Sequence, residues 1–308
     1  MTQVVLRRLV SAVIVMWGAA SLIFLIIRLA PGGPALVLLG PDAQPEDVAE
    51  LSARLGLDRS LPEQYLAYLR DVSRLDFGDS YRLGQPAMEA VLGRLPASLE
   101  LAAAAAVIAV CVGLVLGLIA GYRRGGVVDR VTSALTIGLQ AFPTFWVGIM
   151  LILLFALVLR VLPSSGVGTP AHLVLPAVTL SLPFTAIVAR LTRSSLVEEM
   201  DEPYATTARA KGLTDRQVLI GHALRNSLTP VLTVVALQLG ALIGGAVVVE
   251  NVFAWPGLGS LIVSAVNNRD YAVVQAATLT IAGIIVLLNL LADLVTARLD
   301  PRIRLGAA

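Results

Sequence analysis

The chain has 308 residues, of which 57% are hydrophobic and 14% charged, and its mean hydropathy is +0.83. That balance excludes an ordinary soluble domain. The formal charge of +2 at pH 7 comes from arginines at the edges of apolar runs, so it gives no sign of nucleic-acid binding.

Arg7 and Arg8 precede an apolar run over residues 9–27. The run is about 19 residues long, against roughly 7–15 for a signal-peptide core. No small-x-small cleavage site precedes Pro31, so the run reads as an uncleaved first membrane helix. Residues 31–95 form a longer polar segment. Pro45-Glu46-Asp47 opens a helical pattern that ends at Gly56. Pro62 opens a second, with Leu61, Tyr65, Leu69 and Val72 at helical spacing and Gly78 beyond its end.

Six runs with few or no charges can each cross a hydrocarbon core of about 30 Å, which takes roughly 20 helical residues. They cover residues 9–29, 101–122, 131–159, 173–189, 228–249 and 272–292. Runs this long are helices rather than barrel strands, giving an all-α integral membrane protein. Pro143 interrupts the third run. The fourth is the weakest, being short and broken by Pro176 and Pro183. Cys111 lies in the second run and reads as a buried packing residue; a lone cysteine excludes an intrachain disulfide and a cysteine-rich metal site. Gly113, Gly117 and Gly121 make two overlapping G-x-x-x-G steps, and Gly240 and Gly244 another. These suit close helix contacts within the chain or with a second membrane subunit.

Arginine placement sets the orientation. With the N-terminus inside, the inner side holds Arg7, Arg8, Arg123, Arg124, Arg130, Arg190, Arg193, Arg209, Lys211, Arg216, Arg225, Arg298, Arg302 and Arg304. The short outer loops keep little beyond Arg160 and Arg269. Both termini are then cytoplasmic.

Between the fourth and fifth runs lies a charged island, residues 198–230, which contains Lys211, the only lysine in the chain. Asp201 or Glu202 can cap a helix whose first position is Pro203. That helix stops at Gly212, suited to a left-handed C-terminal cap. Thr214 and Gln217 form a capping box for a second helix, with Asp215 in its first turn and Val218, Leu219 and Ala223 as its apolar side. Two short helices around a glycine corner make a rigid knob for a groove on a partner. Further on, Pro256-Gly257-x-Gly259 is a sharp turn, and Leu258, Leu261, Ile262 and Ala265 follow as a short helix at the outer mouth.

Ala208-Arg209-Ala210-Lys211-Gly212-Leu213, then His222-Ala223-Leu224-Arg225-Asn226-Ser227-Leu228 and Pro230, resemble the cytoplasmic loop of bacterial ABC-importer permeases, the dipeptide/oligopeptide family in particular. The resemblance covers nearly the whole chain. It includes Leu29-Ala30-Pro31-Gly32, Leu55-Gly56-Leu57-Asp58, Gln64-Tyr65, Phe77-Gly78-Asp79-Ser80-Tyr81, Phe142-Pro143 with Phe145-Trp146, Glu250-Asn251-Val252-Phe253, Trp255-Pro256-Gly257-Leu258-Gly259 and Asp300-Pro301-Arg302. Gly33 stands where the family usually has aspartate, and Asn251 where it has threonine.

The resemblance implies a type I importer permease fold with six transmembrane helices. It implies a multi-pass protein of the bacterial inner membrane, surrounded by lipid. A second homologous permease, two cytoplasmic ATPase subunits and an extracytoplasmic substrate-binding protein would complete the importer. It makes Tyr204, Ala208, Arg209, Ala210, Lys211, Gly212, Leu213, His222, Arg225 and Asn226 the ATPase-coupling loop. From the turn itself, Phe253, Trp255, Pro256, Gly257 and Gly259 are expected at the outer mouth, touching the binding protein or acting as a gate. The expected division is residues 1–30 for the first helix, 31–95 for the extracytoplasmic segment, 96–297 for the permease core and 298–308 for a cytoplasmic tail.

The substrate class implied is di- or oligopeptides, with nickel chelate, glutathione and haem as alternatives in the same importer class. From another class, a gradient-driven carrier would favour inverted repeats and a midplane ionisable site, and neither is visible. A non-transporting membrane scaffold is a further alternative.

The residues also exclude chemistry. A Walker A loop needs a lysine followed by Ser or Thr, and the only lysine is followed by Gly212. Energy is therefore expected from another polypeptide or from an ion gradient; the resemblance implies ATP and Mg²⁺ on partner subunits, with no cofactor in this chain. With only His172 and His222, no H-E-x-x-H and no Gly-x-Ser-x-Gly, neither a metal centre nor a hydrolase site is expected. Glu100, Glu250 and Asp293 lie near span ends, where they are expected to reach water.

Overall fold

The computed structural model describes residues 2–29, 39, 43–54 and 56–299. Ala30, Pro31, Gly32, Gly33, Leu55, Asp300, Pro301, Arg302 and Arg304, all singled out above, lie outside the described residues. In chain order the helices are α1 (Thr2–Leu29), α2 (Pro45–Arg54), α3 (Leu61–Ser73), α4 (Ala87–Tyr122), α5 (Val127–Ala141), α6 (Thr144–Leu151), α7 (Pro170–Asp201), α8 (Pro203–Ala210), α9 (Asp215–Val218), α10 (Leu224–Val252), α11 (Leu258–Asn267) and α12 (Tyr271–Leu299). A two-residue hairpin, β1 (Asp79–Ser80) with β2 (Gln85–Pro86), precedes α4. Among the described residues, 5 helices are long and apolar enough to cross a membrane, and one bent pair makes up to 6.

The described residues divide into two compact units, those within 2–97 and 256–286 and those within 98–255 and 287–299. In the first, α1 buries Ala20, Ile23 and Ile27 against Tyr68, Leu69 and Val72 of α3 and Leu279 of α12. The Phe24 ring meets Tyr65 edge-on at 5.3 Å, and Tyr65 and Ser21 share a hydrogen bond of 2.6 Å. At the start of helix α3, Ser60 donates from both its amide and its hydroxyl to the Glu63 carboxylate. Hydrogen bonding holds the Glu63 carboxyl below its ordinary range. The hairpin is tied down by Ser80 Oγ, which donates to Asp270 Oδ2 at 2.5 Å. Leu258 and Ala265 of α11 pack with Val91 and Val273 in a second apolar cluster, so the short helix expected after Pro256 is present.

In the second unit, α4 lies against α7 with almost nothing between the backbones. A Cβ on Gly117 would stand 2.5 Å from the Ala189 carbonyl oxygen, and one on Gly113 would stand 2.7 Å from Val188 Cβ. The glycine steps of α4 are therefore contacts inside the chain, whereas Gly244 of α10 faces open space. Cys111 is exposed on α4, contrary to the packing role expected for it. Glu250, expected to reach water, is 1% exposed and accepts a hydrogen bond from Ser98 Oγ at 2.6 Å.

Two spans differ from expectation. The run 131–159 is not one helix: α5 and the stretch from Thr144 to Val158 meet at 102°. Phe142, preceding a proline, is held out of the helical region at φ −99°, ψ 140°, and α6 starts afresh after Pro143. The run 173–189 is neither short nor broken. Helix α7 is continuous over 32 residues, with Pro176 and Pro183 inside it. Hydroxyls of Thr179 and Ser181 bond back to carbonyls of the same helix, one of the ways membrane helices absorb proline.

Charges join α5 to α7. Asp129 is 4% exposed and takes both Arg193 Nε at 2.5 Å and Nη2 at 2.8 Å, with the Gly125 amide at 2.9 Å. Replacing Gly117 with Leu is expected to lower the thermal unfolding midpoint of the detergent-purified chain, because overpacking costs about 1–3 kcal/mol. Arg193→Leu should cost more, about 3–5 kcal/mol, since it strands a buried carboxylate. The double variant with Asp129→Asn should recover most of that loss, measured in the same melts.

Candidate coupling segment

The segment between α7 and α10 is built as a closed corner. Helix α8 has Pro203 in its first turn and Glu202 at its N-cap, without a side-chain cap bond. It ends through Lys211 and Gly212, whose φ of +92° admits glycine without strain. The Gly212 amide donates to the Arg209 carbonyl at 2.9 Å, and the Leu213 amide to that of Ala208 at 3.3 Å. Thr214 and Gln217 then form the expected capping box.

The second short helix expected here is not separate. Helix α9 passes through a wide turn over Leu219–Ala223 into α10, so Asp215–Val252 is a single helical rod of 38 residues. Only α8 projects as a short piece. It lies in the crook between the end of one spanning helix and the start of the next.

Its apolar side faces inward. Ala205 and Ala208 of α8 pack with Leu196 and Met200 of α7 and with Val218 and Ala223, while Tyr204, Leu213 and Leu219 close the edges. Polar bonds brace the same corner. Arg209 spans it, giving Nε to Asp215 at 2.8 Å and Nη1 to the Met200 carbonyl at 3.0 Å. Tyr204 donates to Glu199 at 2.5 Å, and Asn226 reaches the same oxygen at 3.3 Å. The His222 ring stands 6.4 Å from Tyr204.

Burial, and then the Glu199 carboxylate, push the Tyr204 hydroxyl up to about 12. Because the hydroxyl ionises less readily here than in the unfolded chain, the folded corner keeps its full stability below pH 10 and loses it progressively between about 10 and 12. The hydroxyl thus remains a donor at physiological pH. Arg124 bonds Asp201 at the other edge.

The ten expected coupling residues are therefore gathered in one place, but they divide by role. Tyr204, Ala208, Arg209, Leu213 and Asn226 hold the corner together. Ala210, Lys211, Gly212, His222 and Arg225 are exposed and form its outward rim. Glu199, which anchors two of these residues, carried no signal in the sequence beyond its charge.

The five outer-mouth residues fare differently. Phe253 and Trp255 are 1% and 4% exposed, Gly257 and Gly259 are buried, and only Pro256 is partly open. Phe253 fills the space above Gly148 of α6, and its carbonyl accepts the Gly166 amide at 2.9 Å. The side chains expected to meet a partner thus form the turn itself.

Comparison with known proteins places this geometry. Residues 113–305 match the family model of the binding-protein-dependent transport system inner membrane component. Residues 1–102 match the N-terminal model of the same kind of membrane component. The "Probable peptide ABC transporter permease protein y4tP" of Sinorhizobium fredii is 41% identical, over 97% of this chain and 98% of its own length. The "Dipeptide transport system permease protein DppB" of Escherichia coli K12 is 37% identical over 99% of each chain. The "Glutathione transport system permease protein GsiC" of Salmonella choleraesuis is 38% identical, again over 99% of each. In fold, the chain is similar to the inward-facing MetNI methionine ABC transporter, with TM-score 0.59 at 17% identity over 69% of this chain and 97% of that one.

An apolar, multi-helix protein that carries this braced corner, and is matched by these models along most of its length, belongs to the binding-protein-dependent transport system inner membrane component family: it is a permease subunit of an ABC importer.

Proposed function

We propose that this permease imports di- or oligopeptides across a bacterial inner membrane as one half of a translocation channel. The other half is a second, homologous permease. Two cytoplasmic ATPase subunits bind ATP and Mg²⁺, and an extracytoplasmic binding protein delivers the substrate. Both termini and the corner around Gly212 lie on the cytoplasmic side, in line with the arginine distribution. The relatives named for peptides and dipeptides support the substrate class. A relative named for glutathione, itself a tripeptide, keeps that substrate as a second reading.

The observation that carries the coupling role is the corner itself. Its inner side is spent on packing and on the Arg209 and Tyr204 bonds, which leaves Ala210, Lys211 and Gly212 as a presented rim. Moving a two-state carrier from 1:99 to 99:1 takes about 5.5 kcal/mol of differential stabilisation. A push on α8 reaches α7 and the α9–α10 rod through buried contacts, with no flexible linker to absorb it.

Gly212→Pro is expected to abolish uptake of a dipeptide by cells carrying the whole importer, while the chain still inserts at normal levels. Proline fixes φ near −65°, incompatible with +92°. Normal uptake in that variant would refute the lever. Tyr204→Phe, which removes one bond to a carboxylate worth about 1.5–3 kcal/mol, should lower peptide-stimulated ATPase activity of the purified complex more than it lowers ATPase activity without substrate. A panel of dipeptides, tripeptides and glutathione in the uptake assay separates the two substrate readings.

A further inference from the structure

The Phe77-Gly78-Asp79-Ser80-Tyr81 stretch has no part in coupling, yet it is one wall of a cavity of about 280 Å³ in the first unit. The end of α1, the turn after α2, this stretch and the turn leading into α12 converge there. Arg28, Phe77, Asp79, Tyr81, Arg269 and Gln275 are among its lining residues.

The cavity is unbalanced in a specific way. Arg28 Nε is buried and has no hydrogen-bond partner among the described residues. The guanidinium is held in place by the Phe24 ring, 5.2 Å away. A buried donor of this kind is costly until an acceptor arrives. Asp270 does not fill the role, because it is occupied by Ser80 Oγ at 2.5 Å and by the Val273 amide at 3.4 Å. Tyr81 is likewise committed, to the Asn268 carbonyl. Arg269, a second cation, sits at a φ of 55° that a side-chain-bearing residue adopts only under constraint. Asp79 adds an exposed carboxylate to the lining.

We propose that this cavity is a substrate station that takes a small zwitterion, with Arg28 and Arg269 receiving the carboxylate of a peptide and Asp79 facing its ammonium group. A planar guanidinium matches a carboxylate in two parallel bonds. The two aspartates oppose a phosphate dianion, which sets lipid headgroups and free phosphate aside. The volume suits one or two residues of peptide and lies near the lower bound of about 300 Å³ for ligand pockets. The assignment rests on the peptide reading above, and it gives the permease a recognition site of its own on the side where the substrate arrives.

The test is photolabelling of the purified chain in lipid nanodiscs with photoleucyl-alanine, a dipeptide bearing a diazirine side chain. Label is expected on residues 77–81 or 269–275. Arg28→Gln should cut the yield about tenfold at subsaturating probe, the size of one charge-assisted bond, and Arg28→Lys should retain part of it. The C-terminal amide of the probe should label the unaltered chain as weakly as the free probe labels Arg28→Gln, a comparison that does not depend on how any variant folds. No label on the unaltered chain, equal label in Arg28→Gln, or equal label from the amide would each overturn the proposal. Uptake of the same dipeptide by cells with the complete importer separates the two readings. No uptake removes the peptide assignment, whereas uptake alongside Arg28-independent labelling removes this cavity alone.

Discussion

The contact between α4 and α7 is the constraint on which the second unit depends. Lipid tails are as apolar as leucine, so helices in a bilayer associate through close packing rather than through exclusion of water. Gly113, Gly117 and Gly121 supply that packing by letting the backbone of α4 ride directly on Val188, Ala189, Thr192 and Leu196. Helix α7 contains two prolines, and a helix with that sequence kinks readily when alone. Laid against a glycine face along several turns, it remains continuous from Pro170 to Asp201.

From that rod the polar architecture follows. Arg193 leaves α7 within the stretch covered by the glycine contact and meets Asp129 at the start of α5. Glu199 leaves it two turns later and holds Tyr204 and Asn226. Asp201 ends it and bonds Arg124. Each interaction is local to one end of the helix, and together they attach α5, α8 and α10 to a single rigid element. The Asp129 pair is nearly enclosed on the carboxylate side, so breaking it by halves costs far more than it contributes intact. The Arg124–Asp201 pair is more than half exposed on both partners and adds little by comparison.

Much of this was legible in the sequence, for identifiable reasons. Span length and the caps at Pro203, Gly212 and Thr214 are signals carried by contiguous stretches of chain. The capping box at Thr214 and the helix after Pro256 both stand where their residues put them. What failed was non-local. Pro143 and Pro183 look alike in the chain, yet one ends a helix at a sharp bend and the other is carried through into the stretch from Thr185 to Leu196 that packs closely on α4. The burial of Phe253 and Trp255 was invisible for a similar reason: an aromatic beside a turn reads equally as a contact for a partner or as the filling of the turn. Asp129 and Arg193 are 64 residues apart, and no pattern in one sequence links them.

The division of labour between Arg209 and Lys211 follows from the same physics. Arg209 sits inside the corner and uses its planar fork twice, on Asp215 and on the Met200 carbonyl. A lysine could not make both bonds at that separation, because its ammonium is a compact point charge. Lys211 occupies the C-cap of α8, where its amide donates to the Thr207 and Ala208 carbonyls and a positive charge is favoured by the helix dipole. Its ammonium is strongly hydrated and its side chain exposed, so it adds charge to the rim without being drawn into the brace. The one lysine of the chain therefore stands where a charge must stay in water, beside arginines that are held by the fold.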